Sequence, residues 1–371
     1  MQKKILYLFD ASDWGSRMAV AEKARQDGFN VVIGLIHGDK TAQSKAPDFK
    51  IIPLEKSDNK IGISSSLKMV SQIRALIQNE QPDILHTVTL KYGFITGLAA
   101  FSHPALKKIY TLAGLGYIFR GSDSKSKLLQ SALRPFLKWV LRRKNTTLIF
   151  QNPDDMSLMI RKSYACAEHS VLIRGSGVYL DRFNPEHEKT DPPVILMPTR
   201  LVHEKGVAIF IEAARSLTQK GFKADFQIAG GETKHNPKAI SRAEMEEMIK
   251  GTSVNWLGRV DDLPERLAQA TLIVYPSYYG EGIPRVLLES CAAGCAIVTT
   301  DHPGCREAVD DGENGLLVPV KNVQETASAI ERLLNTPETL PRMRRHSRLK
   351  AEKEFDIHKI VAQTVQLYHR I

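Results

Sequence analysis

Long hydrophobic runs are missing from this sequence of 371 residues. No stretch approaches the roughly 18–20 consecutive apolar residues that a membrane-spanning helix needs. The apolar run from Ile5 to Phe9 stops at Asp10, so it is too short for the core of a signal peptide and is typical of a first strand. The sequence therefore predicts a cytoplasmic protein.

Cysteine and glycine motifs are scarce as well. The four cysteines form no C-x-x-C pair and have no histidine pair at metal spacing, so we interpret them as small core residues. Neither half contains the G-x-G-x-x-G fingerprint that a dinucleotide-dependent oxidoreductase needs between a strand and its helix. The sequence therefore argues against a metalloprotein and against a dehydrogenase.

Acidic residues are under-represented in one half only. The net charge of the chain is +10. Its composition, 43% hydrophobic and 25% charged residues, is ordinary for a globular protein and excludes a disordered or disulfide-stapled chain. Residues 1–190 hold 28 Lys and Arg against 17 Asp and Glu, whereas the remainder holds 23 against 24. This asymmetry indicates that the first half meets an anionic surface or polymer.

Strand-like and helix-like patterns alternate along the chain, which favours an α/β protein with parallel sheets. The polar, proline-bearing segment Asn184–Pro193 interrupts the alternation and predicts a linker. We expect two doubly wound, Rossmann-like domains, residues 1–183 and 194–354, that face each other across a cleft. A last helix over residues 355–371 is expected to return to the first domain.

Two cations follow the strand pattern at the start of the second half. Arg200 comes directly after VILMPT, and Lys205 precedes Gly206 and an apolar helix. Two cations at a strand's carboxyl end, beside a helix N-terminus, can clamp a diphosphate. A solvated basic loop is an equally good interpretation of this pair alone.

The segment YYGEGIPRVLLESCAAGCAIV contains the strongest local pattern. Glu281 and Gly282 form a tight loop with Ile283, Pro284 suits a first helical position, and Glu289 follows on the helix. Two carboxylates so placed can accept hydrogen bonds from sugar hydroxyls. For an isolated pair, a capping and an exposed helical glutamate would be the simpler interpretation.

Taken together, MPTRLVHEKGV, the two glutamates and TTDHPGCREAV…GENGLLVP resemble glycosyltransferase family 4, which has the two-domain GT-B fold. GLGYIF, FQNPDD and GSGVYLDRFNP are similar to its bacterial branch that builds surface polysaccharides and lipid-linked oligosaccharides. The resemblance runs from Gly114 to the end and is weak over the first hundred residues.

The resemblance implies a retaining enzyme with a nucleotide-sugar donor, UDP-linked more often than GDP-linked, in the C-terminal domain. Arg200 and Lys205 would hold the donor diphosphate and stabilise its charge as it leaves. Glu281 would contact the donor sugar and Glu289 the ribose hydroxyls. The other donor-side positions that match are Gly230, Gly231, Arg259, Val260, Gly282, Ile283 and Pro284. No bound cofactor or metal is expected, and no Asp-x-Asp motif follows a strand.

The acceptor side departs from the family pattern. The glycine pair that usually follows strand one is replaced by DASDWGSR, over residues 10–17. His86 and Lys91, in ILHTVTLKYG, are then the best candidates to touch the acceptor or the transferred sugar, although a lone histidine is more often structural. Gly114, Gly116 and Asn152 are further acceptor-side candidates by the resemblance.

A basic amphipathic helix is predicted over residues 125–144, KSKLLQSALRPFLKWVLRRK, which contain no acidic residue. An apolar stripe, with Trp139 as an anchor, would lie in the headgroups of an anionic inner leaflet. The membrane-facing cations would be Lys127, Arg134, Lys138, Arg142 and Arg143. The alternative is an ordinary domain helix whose stripe packs on the sheet.

The sequence as a whole predicts a peripheral membrane enzyme that moves a hexose or N-acetylhexosamine onto a lipid-linked or polysaccharide acceptor. A GT-B nucleotide-sugar epimerase and a transferase with a soluble acceptor are the alternatives. A nucleic-acid-binding module would explain the charge but not the two glutamates, so no nucleic-acid partner is expected.

Overall fold

The computed structural model of the chain describes residues 2–39, 41–54, 63–116, 124–186, 190–233, 236 and 238–371. It divides into two compact units. Unit 1 comprises Met1–Gly177 and Ile357–Ile371, and unit 2 comprises Val178–Asp356. No helix among the described residues is long and apolar enough to cross a membrane.

Unit 1 is built around a parallel sheet whose described strands lie in the order β3-β2-β1-β4-β5-β6-β7. The strands are Lys4–Asp10 (β1), Asn30–Ile36 (β2), Lys50–Leu54 (β3), Ile84–Val88 (β4), Lys107–Leu112 (β5), Thr146–Phe150 (β6) and Ser170–Leu172 (β7). The helices before unit 2 are Trp14–Gln26 (α1), Ala42–Lys45 (α2), Ile63–Glu80 (α3), Leu90–Ala99 (α4), Ser124–Leu141 (α5) and Pro153–Arg161 (α6).

Unit 2 repeats the architecture with the strand order β10-β9-β8-β11-β12-β13. Its strands are Val194–Pro198 (β8), Asp225–Ala229 (β9), Val254–Gly258 (β10), Leu272–Tyr275 (β11), Ile297–Thr300 (β12) and Gly315–Val318 (β13). Its helices are Val207–Gln219 (α7), Arg242–Ile249 (α8), Leu263–Gln269 (α9), Arg285–Ala292 (α10), Val323–Asn335 (α11) and Leu340–Lys350 (α12). Both units are doubly wound α/β layers, as the sequence predicts.

The chain passes between the units at two points that touch. A Cβ atom added to Gly177 would lie 2.9 Å from the Ile357 Cα atom, and the Val178 amide donates to the Phe355 carbonyl at 2.9 Å. The division after Gly177 differs from the predicted linker, since the described part of Asn184–Pro193 belongs to unit 2. The last helix, Ile357–Arg370 (α13), packs on α1 of unit 1.

The carboxyl-terminal part of helix α5 buries three apolar residues inside unit 1. Leu137, Val140 and Leu141 are at most 2% exposed and join the core that includes Tyr110 and Leu148. This part of the predicted stripe therefore packs on the sheet, because the sheet needs apolar cover on this face, whereas Phe136 of the same stripe is exposed. Pro135 lies inside the helix, which continues through it.

Candidate functional site

Four loops of unit 2 meet at the carboxyl edge of its sheet. They follow β8 at Arg200, β9 at Gly230, β10 at Arg259 and β11 between Pro276 and Glu281. The strands are parallel, so their carboxyl ends lie along one edge, where open α/β sheets bind ligands. The donor-side residues of the sequence analysis are thus brought together within one unit.

A buried cation lies at the centre of this edge. The Lys205 ammonium is 4% exposed, donates to the Tyr275 hydroxyl at 2.7 Å and forms a short ion pair with Glu281. The Tyr275 hydroxyl also donates to Glu281 at 3.3 Å. Burial and the Glu281 charge hold the pKa of Tyr275 well above its usual range, so this tyrosine stays protonated as a donor.

The backbone around Lys205 is fixed by the loop after β11. The Tyr278 amide donates to the Glu204 carbonyl at 2.9 Å, and the Tyr279 ring centroid lies 4.9 Å from the Lys205 Nζ atom. Gly304 supports the other side of the Glu281 loop. Its φ is +89°, and a Cβ atom there would lie 1.8 Å from the Gly282 carbonyl oxygen. Only glycine allows this approach, so the loop is held from both sides.

Arg200 and Arg259 are the exposed cations of the same edge. Arg200 has no carboxylate partner among the residues that the structure describes. Arg259 is 86% exposed in its side chain and lies 3.5 Å from Asp261 across an ion pair. Because a solvent-exposed pair contributes little, both guanidinium groups are available to an anionic ligand.

Gly230 has no room for a side chain. A Cβ atom on Gly230 would lie 1.5 Å from the Thr199 carbonyl oxygen. The close neighbour is therefore the backbone of the loop after β8. Gly231 has a milder restriction, with the Arg259 Cβ atom at 3.2 Å.

Glu289 lies on α10, one turn after Arg285. Its side chain is 15% exposed and accepts from the Arg285 Nε atom at 2.9 Å. Burial raises the pKa of Glu289, and the Arg285 charge opposes that rise. The helix begins at Arg285 with Pro284 as its N-cap, one residue later than predicted. Ile283 and Pro284 are buried beneath it, whereas Val260 is half-buried.

Replacing Glu289 tests its assignment to the ribose. We expect Glu289→Ala to weaken nucleotide binding by about 1.5–3 kcal/mol, the range for hydrogen bonds to a charged group. Titration calorimetry with UDP and with its 2′,3′-dideoxy analogue measures the effect, which should largely vanish with the analogue. Arg285→Ala is the matched control, because it removes the ion-pair partner and keeps the carboxylate. An equal loss with both nucleotides would make Glu289 a structural residue.

The described residues contain no group of three or more His, Cys, Asp or Glu side chains that could hold a metal ion. Burial raises the pKa of Cys291 and Cys305 to about 12, so these two thiols stay protonated in the core of unit 2.

In unit 1, His86 is inside the protein. It is 1% exposed, and its ring nitrogens lie 2.6 Å from the Tyr368 hydroxyl and 2.8 Å from the Thr111 hydroxyl. Burial, helped by the Arg17 charge, lowers the pKa of His86 to about 3. Both nitrogens have partners within the unit, which favours a structural role over the predicted contact with an acceptor.

Asn152 also has a local role. It is fully buried as the N-cap of α6, accepting from the Asp155 amide at 2.8 Å and donating to the Asp155 carboxylate at 3.0 Å. Gly114 and Gly116 have φ values of +102° and +59° at the start of the loop after β5. Lys91 is exposed, with its Nζ atom 5.1 Å from the Tyr92 ring centroid. Of these candidates, Lys91 is the one placed to meet a ligand.

A group of side chains at the carboxyl edge of the unit 1 sheet was not predicted from the sequence. Asp10 ends β1 and His37 follows β2, and the Asp10 Oδ2 atom lies 2.8 Å from the His37 Nδ1 atom. The Tyr92 hydroxyl donates to the same oxygen at 3.4 Å. The available signal was that Asp10 and His37 each follow a predicted strand, since neighbouring parallel strands bring such residues together.

Helix α5 leaves an aromatic and basic surface exposed at its carboxyl end. Phe101, Phe136 and Trp139 are 57%, 56% and 41% exposed. The Arg143 guanidinium lies 5.1 Å from the Phe101 ring and 4.7 Å from the Trp139 ring, within cation–π range. Arg134 and Arg142 are exposed and Lys138 is half-buried, whereas the Lys127 side chain lies outside the described residues.

Comparison with known proteins identifies both halves of the chain. The model of the family "Glycosyl transferases group 1" matches residues 181–350, and that of "Glycosyl transferase 4-like" matches residues 4–152. The N,N'-diacetylbacillosaminyl-diphospho-undecaprenol alpha-1,3-N-acetylgalactosaminyltransferase of Campylobacter jejuni is 26% identical over 97% of this chain and 96% of its own.

Two solved structures share the fold over nearly the whole chain. The sucrose-phosphate synthase of Thermosynechococcus elongatus matches with a TM-score of 0.84 and 20% identity, covering 100% of this chain and 99% of its own. Anabaena HepE, solved in complex with UDP and glucose, matches with a TM-score of 0.78 and 19% identity, covering 100% of both chains. The fold is therefore that of the GT-B glycosyltransferases, as the sequence motifs predict.

Proposed function

Because the chain belongs to the group 1 glycosyltransferases of family 4, we propose that it transfers a hexose or N-acetylhexosamine from a UDP-sugar to a lipid-linked or polysaccharide acceptor, with retention of anomeric configuration. The single observation that carries the donor assignment is the buried Lys205–Glu281 ion pair at the carboxyl edge of unit 2, the edge at which Arg200 follows β8. UDP is favoured because HepE, which shares the fold, was solved with UDP.

The chemistry asked of unit 2 is the stabilisation of a departing diphosphate. Arg200 supplies an exposed guanidinium with the geometry to hold phosphate oxygens. Lys205 supplies an ammonium group that is buried away from bulk water. In this buried site its charge acts more strongly on a phosphate than it would in solvent. Glu281 neutralises Lys205 in this structure and, on our proposal, accepts a hydroxyl of the donor sugar.

A bacterial surface polysaccharide or a lipid-linked saccharide is the acceptor class that we favour. The name of the Campylobacter relative specifies a diphospho-undecaprenol acceptor, and the similarity to that protein extends along nearly the whole chain. A GT-B epimerase or a transferase with a soluble acceptor is the alternative class. An epimerase would have little use for the exposed aromatic and basic surface of α5.

A thermal-shift screen across UDP, GDP and their sugars tests the donor. A ligand at 100 times its dissociation constant should stabilise the folded chain by about 2.7 kcal/mol. Mass spectrometry of the products formed with a UDP-sugar and a farnesyl-diphosphate-linked N-acetylhexosamine then detects transfer, and proton NMR of the nucleotide sugar detects epimerisation, which leaves the mass unchanged. Stabilisation by GDP alone would overturn the UDP assignment, and an isomerised nucleotide sugar without transfer would overturn the reaction.

The α5 surface supports a second part of the proposal, which is docking to the inner face of the cell membrane. Aromatic side chains at headgroup level and neighbouring cations favour an anionic leaflet, at about 1 kcal/mol for each cation near the surface. Phe136, Trp139 and Phe101 would make the apolar contact, because they are exposed whereas Leu137, Val140 and Leu141 are buried in unit 1.

Vesicle co-sedimentation measures this docking. We expect binding to vesicles that contain phosphatidylglycerol, weaker binding at high salt, and none to pure phosphatidylcholine. Binding should be lost when serine replaces Lys138, Arg142, Arg143 and Lys144. It should survive the matched control, in which serine replaces four exposed cations of unit 2, Lys220, Lys223, Arg242 and Lys250. Sedimentation that ignores lipid charge or survives the first set would rule the docking out.

A further inference from the structure

A carboxylate–imidazole pair closes the carboxyl edge of the unit 1 sheet. The Asp10 Oδ2 atom lies 2.8 Å from the His37 Nδ1 atom, and the two side chains are 20% and 35% exposed. A carboxylate can only accept, so the proton of this hydrogen bond is carried by Nδ1, and the imidazole tautomer with its proton there has Nε2 as an acceptor. The pair is part of the surface rather than of the core.

Both carboxylate oxygens of Asp10 are occupied by hydrogen bonds within unit 1. Its Oδ1 atom accepts from the Ser12 amide at 3.0 Å and from the Ser12 hydroxyl at 2.8 Å, while Oδ2 serves His37 and Tyr92. The carboxylate is therefore fixed by the loop that follows β1, and it fixes the imidazole in turn. His37 is thereby oriented before any ligand arrives.

The backbone on both sides of this pair is in rarely occupied conformations. His37 has a φ of +56°, and Thr89, the N-cap of α4, has φ +76° and ψ 148°. A β-branched residue in that region is costly and persists where the surrounding structure enforces it, most often at binding sites. Lys91 and Tyr92 come two and three residues after Thr89, in the first turn of α4, and the Tyr92 ring lies 6.2 Å from the His37 ring.

Two ligand-binding groups remain open at this edge. Among the described residues, the His37 Nε2 atom has no hydrogen-bond partner and the Lys91 ammonium has no carboxylate partner. One accepts and the other donates. That combination suits a neutral hydroxylated ligand, because a phosphate needs donors on every side.

We propose that His37, oriented by Asp10, binds a hydroxyl group of the acceptor saccharide through its Nε2 atom, with Lys91 as the neighbouring donor. This inference rests on the proposed function, in which unit 2 holds the donor and the acceptor is left to unit 1. His37, which is exposed at the sheet edge, thereby takes the acceptor-binding role that the sequence suggested for His86. Both ring nitrogens of His86 already have partners within unit 1.

Histidine-ring NMR of the intact chain, with all imidazoles labelled with ¹⁵N, tests the inference. Methyl glycosides of the common hexoses and N-acetylhexosamines are titrated in turn, and inorganic phosphate is the comparison ligand. We expect at least one glycoside to shift the His37 Nε2 resonance and to leave that of His103, on the loop before β5, unchanged. No shift with any glycoside, or a shift with phosphate alone, would overturn the proposal.

Two variants sharpen the result. His37→Gln should raise the dissociation constant of the binding glycoside about three- to tenfold, as expected for one neutral hydrogen bond. His103→Gln, the matched control, should leave it unchanged. Titration with UDP keeps the two proposals distinct. A chain that binds UDP but no glycoside contradicts the His37 assignment alone, whereas glycoside binding without UDP binding contradicts the donor assignment.

Discussion

Arg200→Ala and Lys205→Met should each reduce the rate of sugar transfer by about 10²–10³-fold. Each removes a charge-assisted contact that strengthens as the diphosphate leaves, and a contact of that kind acts on the transition state more than on the bound donor. The loss should therefore be in kcat as well as in kcat/KM for the nucleotide sugar.

The two variants differ in their effect on folding. Arg200 is exposed, so its removal should leave the thermal midpoint unchanged. Lys205 is buried against Glu281 and Tyr275, so its loss leaves a partly buried carboxylate without a cation and should lower that midpoint. Arg215→Ala, on the outer face of α7, is the control for both. Turnover within a factor of three of the unchanged chain by either variant would remove that residue from the site.

Acid should destabilise unit 1 through His86. The pKa of this imidazole is about 3 in the folded chain and about 6.5 when it is exposed. Between those values the unfolded chain binds a proton that the folded chain excludes, so stability is complete above pH 6.5 and is lost as the pH falls. The full loss is about 5 kcal/mol and is complete only below pH 3.

Urea unfolding followed by tryptophan fluorescence measures this dependence. Trp14 and Trp139 lie in unit 1, and Trp256→Phe removes the tryptophan of unit 2, so the signal reports unit 1. On that background His86→Gln should flatten the dependence of the unfolding free energy on pH between 4 and 6.5. His103→Gln should leave the slope unaltered. An unaltered slope in His86→Gln would mean that other groups govern the acid response.

Most strands could be predicted from the sequence because buried parallel strands are short apolar runs. Two were missed in unit 1. The strand β3, KIIPL, contains Pro53, which weakens a strand pattern but is tolerated because β3 lies at the sheet edge. The strand β7 has only three residues and none of them is buried.

Two helices of unit 2 were also missed, for opposite reasons. The helix α12, LPRMRRHSRLK, is too basic to show an apolar stripe. The helix α8 carries a signal that could have revealed it, because Ser241 accepts from the Glu244 amide at 3.2 Å as an N-cap with glutamate three residues later. The basic composition of α12 therefore obscures its helical periodicity, whereas α8 can be predicted from its N-cap pattern rather than from periodicity.

The two sides of the candidate site were not equally predictable. The donor side depends on residues that follow unit 2 strands in recognisable motifs, and the structure gathers them at one edge. The acceptor side depends on Asp10 and His37, which lie 27 residues apart in no motif. His37 also needs a positive φ, which its residue type does not announce. Pairing of this kind emerges only from the register of β1 and β2.

The double passage of the chain between the units has a consequence for synthesis on the ribosome. Unit 2 is one continuous segment, Val178–Asp356, and all its parts are available once that segment has emerged. Unit 1 lacks α13 until residues 357–371 emerge, and with it the Tyr368 partner of His86. The amino-terminal part of unit 1 is therefore translated first, but unit 1 can complete its folding only after all of unit 2 has been translated. Nascent chains arrested before residue 357 should expose the α1 face that α13 covers, and that face offers a holding chaperone a defined target during translation.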